Sequence, residues 1–264
     1  MSQRRHRAVF DPRRNPKADV SSLSYAYESG HVVPRHFHEQ DQILYGISGV
    51  MAVTTDEGLW IVPSHRAVWI PANTVHSIEI WGALTMKTLY LKPKLVRQLG
   101  RKCCLLNVPP LLREVFIEVC SLGCLYRGKA AHARLMGVTV DQLNRAPSVP
   151  LQMPMPTDAR AVRVAELSFA DPSDRRPLGQ LAKKCGASKR TIERLFKEEA
   201  GMTFGRWRQR FTLVRAIQLL ANGNKVSSVA LEIGYRSPSA FIAMFKKLMG
   251  TTPSLYFMHR TGSD

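Results

Sequence analysis

Residues 36–42 read His-Phe-His-Glu-Gln-Asp-Gln, two imidazoles one residue apart with acids and amides close behind. On an extended strand, side chains two apart share a face, so His36 and His38 point together while Phe37 turns away. His76, on a later strand-like run, can meet them across a sheet. Three imidazoles satisfy much of a site for Zn, Fe, Ni or Cu, which makes His36, His38 and His76 candidate ligands for a divalent transition metal. The same three rings could instead hydrogen-bond to each other, to an effector or to the core, and the residues leave both readings open. A zinc-protease helix motif fails, because Gln42 stands where the second histidine would have to be. His36, His38, Gln42, Tyr45 and His76 form the candidate effector pocket, with Glu39 and Asp41 as pocket or rim acids. Trp60 and Trp69 suit either a pocket wall or a core. No P-loop, GxSxG or GxGxxG occurs, so the usual nucleotide and hydrolase chemistries have no foothold.

A second set of residues could act on DNA. Ser188, Lys189, Arg190, Thr191, Glu193 and Arg194 crowd one stretch, and Arg236, Ser237, Ser239 and Ala243 occupy a similar one further on. Guanidinium and ammonium groups near the start of a helix can reach base edges and phosphates. Glu193 can accept from a cytosine amino group, and Ala243 can meet a thymine methyl. The whole chain agrees in sign: 38 Lys+Arg against 20 Asp+Glu give +18 over 264 residues. That excess favours nucleic acid over an anionic membrane surface. No apolar run is long enough to span a bilayer and no secretion signal opens the chain, so a cytoplasmic protein is expected. Five cysteines without a CxxC pair suit reduced thiols.

The elements that must hold these residues change character along the chain. Residues 1–19 read as a basic flexible tail. Residues 20–92 alternate short β-rich runs (YAYE, QILYGI, GVMAV, LWIV, AVWI, HSIEI, MKTLYL) with turn sequences, as in a small sandwich or barrel. Residues 93–145 shift to helical periodicity: Leu111, Leu112, Val115, Phe116, Val119 and Leu122 fall on one face, suited to closing the domain or to a dimer contact. Residues 146–157 carry four prolines and predict a stiff linker. Everything in 158–260 reads as helix.

That last region contains a near-repeat. Leu181-Ala182 aligns with Val229-Ala230, Gly186 with Gly234, Phe196-Lys197 with Phe245-Lys246, and Gly201 with Gly250. Helix, glycine turn, helix, occurring twice, is the pattern of two helix-turn-helix units. The small Ala182 and Ala230 let helices cross closely, and Gly186 and Gly234 supply the positive φ of the turn. Ser188 and Ser237 are placed to cap, with Pro238 at a first helical position. A helix over 204–221, ~27 Å long, joins the units. That length could set two recognition helices on neighbouring major-groove turns about 34 Å apart, with Arg206, Arg208 and Arg210 near phosphates.

The stretches LAKKCGASKRTIERLFKEEAGMTF, VRAIQLL and VSSVALEIGYRSPSAFIAMFKKLMGTTP resemble the AraC/XylS family of transcription regulators over about a hundred residues. The resemblance implies base-reading positions at Arg190, Glu193 and Arg194 in the first unit and at Ser239 and Ala243 in the second. Ala243 departs from the basic or polar residue common there. It also implies an N-terminal sensing domain similar to a cupin barrel. Gly30, His36, His38, Gln42 and Gly49 follow the first cupin motif with Gln42 in place of its glutamate. Pro71, Asn73 and His76 follow the second, with Asn73 for a glycine and His65 where the leading glycine belongs. The expected fold is therefore α+β in two domains, a cupin-like β-barrel with a helical segment and an all-α double helix-turn-helix. The expected function is an effector-controlled, sequence-specific regulator rather than an enzyme. Its partners would be double-stranded DNA, a small molecule, a second copy in a homodimer, and RNA polymerase if it activates. The rival from another class is a metal-dependent cupin oxygenase or isomerase fused to a DNA-binding module; a charge-driven, non-specific nucleic-acid coat is the weaker third.

Overall fold

The computed structural model describes residues 17–64, 66–149, 152–174 and 176–258; the basic tail up to residue 16 and His65 lie outside the described residues. The N-terminal part is an antiparallel sheet of ten strands among the described residues. Its framework is β1 (Val20–Tyr27), β2 (Val32–His36), β3 (Asp41–Thr55), β4 (Gly58–Pro63), β5 (Arg66–Ile70) and β6 (His76–Leu91). QILYGI and GVMAV, which read as separate runs, are one strand, and so are HSIEI and MKTLYL. The reason is visible in the register. The first half of β3 pairs β5 and its second half pairs β4, while β6 pairs β2 near His76 and β1 towards Leu91. Bulges between Gly46 and Val50 bend the strand so that it serves both sides of the barrel. Gly49 has φ +80°, and a Cβ there would lie 2.4 Å from the Ala83 carbonyl oxygen, so only glycine fits the bend.

The barrel interior is apolar over much of its length, built from Leu44, Met51, Val53, Val62, Val68, Ile78, Ile80, Leu84 and Met86. A second core lies outside the sheet, where α1 (Pro110–Leu122) and α2 (Ala130–Arg145) cover Ile43, Tyr45, Trp69 and Leu89. Leu112, Val115, Phe116 and Val119 are buried there, whereas Leu111 and Leu122 of the predicted face remain exposed. Strands β7 (Cys104–Asn107) and β8 (Cys124–Leu125) bracket α1. The five cysteines form no disulfide.

The proline-rich stretch differs from the stiff spacer expected of it. It contributes β9 (Ser148–Val149), paired with β7, and β10 (Gln152–Met153), paired with Trp60 and Leu59 of β4. Proline blocks long ladders, yet two-residue bridges between prolines still satisfy backbone groups at a sheet edge. The C-terminal part is helical: α3 (Ala159–Ala170), α4 (Leu178–Lys184), α5 (Lys189–Glu199), α6 (Phe204–Ala221), α7 (Val226–Glu232), α8 (Pro238–Met249) and α9 (Pro253–Met258). The first unit packs around Trp207, which touches Phe169, Phe196, Phe204 and Phe211. Trp207 Nε1 donates to the Pro154 carbonyl at 2.9 Å, tying the helices to the end of β10.

Candidate nucleic-acid interface and histidine cluster

In each unit the predicted cap forms. Ser188 Oγ accepts from the Thr191 amide at 3.0 Å, and Ser237 Oγ from the Ala240 amide at 3.3 Å, which fixes where each recognition helix starts. Gly186 and Gly234 carry φ of +70° and +82° in the turns. Ile192, Leu195 and Phe196 of α5 are buried, as are Phe241, Met244 and Phe245 of α8. Burial of those faces turns Lys189, Arg190, Glu193 and Arg194 outward on α5, and Ser239 and Ala243 outward on α8 beside Arg236.

The α5 face is held by charge pairs along the helix: Lys189 lies 3.7 Å from Glu193 and Arg194 Nη1 donates to Glu198 at 2.6 Å. An open groove between α5 and the start of α6 brings Ser188, Lys189, Arg190, Thr191, Arg194 and Arg208 together, joined by Lys197 and Thr203. Lys197 escaped the sequence reading, although it lies one turn beyond Glu193 and Arg194 on the same face. Arg208 is more constrained than a solvated helix residue: Nη1 donates to the Arg176 carbonyl at 3.1 Å, and its guanidinium lies over the Phe204 ring.

In the barrel, register brings the histidines together: β2 and β6 place His36 opposite His76, just past a bulge after Val33. Ring centroids are 4.3 Å apart for His36–His76, 4.8 Å for His36–His38 and 5.6 Å for His38–His76. One ring nitrogen from each lies within 4.8 Å of the others. His36 Nδ1 lies 2.7 Å from the Pro34 carbonyl and His76 Nδ1 2.9 Å from the Thr74 carbonyl, so each carries its proton on Nδ1 and presents Nε2. His76 Nε2 is buried and has no hydrogen-bond partner. Burial pushes the His76 imidazole down to about 4, with the Thr74 bond opposing and the nearby His36 adding to the shift.

The turn before His76 explains the Asn73 substitution. Asn73 adopts φ +64°, a conformation asparagine tolerates better than most residues, and its amide donates to the His38 carbonyl at 2.6 Å. Asp41 is buried and accepts from the Ala72 amide at 2.9 Å, so it pins this turn, while Glu39 is exposed. Gln42 points inward and its Nε2 donates to Thr88 Oγ1 at 3.2 Å.

Tyr45 does not join the pocket. Strand alternation sends Gln42 and Leu44 inward and Ile43 and Tyr45 outward, where Tyr45 stacks on Phe116 at 5.2 Å. Trp69 is likewise core, its Nε1 donating to the Gly100 carbonyl, and Trp60 packs inside the barrel. The aromatic neighbours of the histidines are others. Tyr90 meets His38 edge-on at 4.9 Å, and Tyr25 and Tyr27 line the same side of β1. Burial raises the phenols of Tyr25 and Tyr90, and that of Tyr27 to about 12. Their inward alternation on β1 was a usable signal; the pairing of Tyr90 with Gln42 was not.

Comparison with known proteins fits this arrangement. An AraC-like ligand binding domain matches residues 20–135 and a helix-turn-helix domain matches residues 181–259. The chain is 32% identical to the HTH-type transcriptional regulator NimR of Escherichia coli over 252 residues, covering 96% of this chain and 92% of NimR. The chain belongs to the AraC family. This AraC-family regulator is also 34% identical over 119 residues to the HTH-type transcriptional regulator RipA of Corynebacterium glutamicum, 45% of this chain and 35% of RipA. Among solved structures, wild-type ToxT from Vibrio cholerae bound to an unsaturated fatty acid matches 92% of this chain and 96% of its own, at 16% identity and a TM-score of 0.41. The chain is thus a transcription regulator with an N-terminal ligand-binding domain and a C-terminal DNA-binding domain. No described helix is long and apolar enough to cross a membrane.

Proposed function

We propose that this regulator reads DNA chiefly through α5, with α8 in a supporting role, under control of a divalent transition metal or metal-held effector at His36, His38 and His76. The exposed basic face of α5 carries the first half of the reading. Arg190 and Arg194 are the base readers, Glu193 a reader of cytosine, and Ser188, Lys189, Thr191 and Arg208 bind backbone. On α8, Ser239 and Ala243 give small contacts, with Arg236 and Ser237 on phosphates. Two such domains in a homodimer would cover an operator, and the exposed Leu111 and Leu122 of α1 support a partner copy there. RNA polymerase is a further partner if the protein activates.

The observation that carries the metal reading is the buried, unpartnered Nε2 of His76 in a cluster of three imidazoles, one ring nitrogen of each lying within 4.8 Å of the others. The carbonyl bonds of His36 and His76 orient their rings as second-layer partners do in metal sites. With Gln42 in the carboxylate position and bonded to Thr88, a bound ion keeps a more positive, exchangeable coordination sphere, suited to sensing. Elemental analysis of the purified full chain, with operator binding measured before and after chelation, tests the reading. Stoichiometric Zn, Fe, Ni or Cu that His38→Ala loses, with an altered operator response, is expected. A metal-free protein whose effector response survives His38→Ala removes the cluster from sensing. Oxygen-dependent turnover by an iron-loaded protein would favour the fused-enzyme reading instead.

A further inference from the structure

The barrel and the DNA-binding domain meet along one seam, and its position is informative. Val50, Ala52, Ile61 and Trp81 of the sheet share a single apolar core with Leu213, Ile217 and Leu220 of α6 and with Tyr256 of α9. The faces of α5 and α8 that would meet DNA stay exposed, so this docking grips the helix common to both units and covers neither reading surface. Apolar adhesion of that kind is strong but non-directional. What fixes its register is polar, and centres on the residue that ends α6.

Asn222 caps α6, and its Oδ1 accepts twice from the barrel: from Ser29 Oγ at 2.9 Å and from the Gly82 amide at 2.9 Å. The Gly82 amide also donates to Ser29 Oγ at 3.1 Å, closing a three-membered network. Both barrel partners lie on or beside the paired strands that carry His36 and His76. Ser29 lies in the turn from β1 to β2, the strand of His36, and Gly82 is on β6, the strand of His76. Between network and cluster the two strands are laced by Gly30 N to Ile80 O and Ile80 N to His31 O, each 2.9 Å, and then by the Val32–Glu79 and Val33–Ile78 pairs. The bulge between Val33 and His36 is the one irregularity along this path.

We propose that Asn222 is a positioning residue that couples the orientation of the DNA-binding domain to the β2–β6 strand pair bearing His36 and His76. Because both partners donate, the function of Asn222 is that of an acceptor, and its amide NH2 is dispensable. The coupling runs both ways by thermodynamic linkage: a change at the histidine end shifts the docking, and release of the docking loosens the strand pair. The switch this describes sets the orientation of α6 and does not uncover a masked DNA surface. It gives the sensing proposed above a route to DNA, while the bonds that carry it stand whether the cluster holds metal or not.

Amide hydrogen exchange on the full-length chain without added metal tests this, since it needs no effector. The reporting amides are Gly30 and Ile80, which link the start of β2 to β6 and do not bond to Asn222, and Gly223 and Asn224 in the turn after α6. In Asn222→Ala, Gly30 and Ile80 should exchange about two- to tenfold faster, the effect of losing a modest hydrogen bond. Asn222→Asp, which keeps the acceptor, should restore wild-type rates. His36→Ala should speed exchange at Gly223 and Asn224 in the wild-type background and add nothing in the Asn222→Ala background. Unchanged rates at Gly30 and Ile80 in Asn222→Ala, failure of Asn222→Asp to rescue, or an additive effect of His36→Ala would each overturn the proposal.

Discussion

The two helix-turn-helix units share a scaffold and differ in what they offer to the outside. Each has a small alanine at the helix crossing, a glycine in the turn, a serine cap and an apolar triad beneath the recognition helix. Outward, α5 presents lysine, arginine and glutamate, while the corresponding face of α8 presents serine and alanine. Inward, the core of the first unit closes mainly on itself and meets the sheet only through Met153 of β10 and the half-buried Leu59 of β4, whereas the core of the second continues into Val50, Ala52, Ile61 and Trp81 of the barrel. Folding and reading are therefore separable demands. The repeat preserves the first, and the chain has spent its second copy on contact with the sensor as much as on contact with DNA.

The sharpest way to separate the units is through their cores. Phe196→Ala and Phe245→Ala each delete a fully buried ring and should cost about 3–5 kcal/mol of local stability. Only Phe245→Ala should also lower the unfolding temperature of the barrel, read by near-ultraviolet circular dichroism. Equal effects on the barrel would erase the contrast between a lightly attached unit and a docked one.

The next effect is on recognition. Arg194→Ala should cost about 1–3 kcal/mol at the cognate site and relax sequence preference there, while Ser239→Ala should cost about 1 kcal/mol or less. Equal losses on cognate and random DNA would reassign Arg194 to phosphate. Below these come the caps: Ser188→Ala and Ser237→Ala should each destabilise by about 1 kcal/mol, alike in both units because the scaffold is alike. Smallest is Lys189→Ala, expected to lower the slope of log affinity against log salt by about 1 without changing sequence preference.

Much of this was legible in the residues because it is local. The caps, glycine turns and apolar triads repeat at fixed spacing, and α6 forms over the expected 204–221, although burial on nearly every side replaces the one amphipathic face expected of it. The three histidines were legible from the spacing of His36 and His38, although β2 ends at His36, and from the Pro71–His76 turn, which supplies the third. Strand alternation excludes Tyr45, which is an odd number of residues from Gln42. What stayed hidden is set by long-range pairing. Tyr90 enters the cluster because β6 lies against β3, opposite Gln42. A bridge as short as β10 carries no period to detect. Asn222 is one of several polar residues in the turn after a helix, and its partner Gly82 lies 140 positions away in the chain.

The most direct measurement is selection of DNA from a random library by the full-length protein, repeated with Arg190→Ala/Arg194→Ala. Two blocks of preferred sequence about one helical turn apart are expected, one markedly more restrictive, and the double variant should flatten that block while leaving the other. Retention without a shared motif, or loss of the weaker block instead, would contradict the assignment of sequence reading to α5.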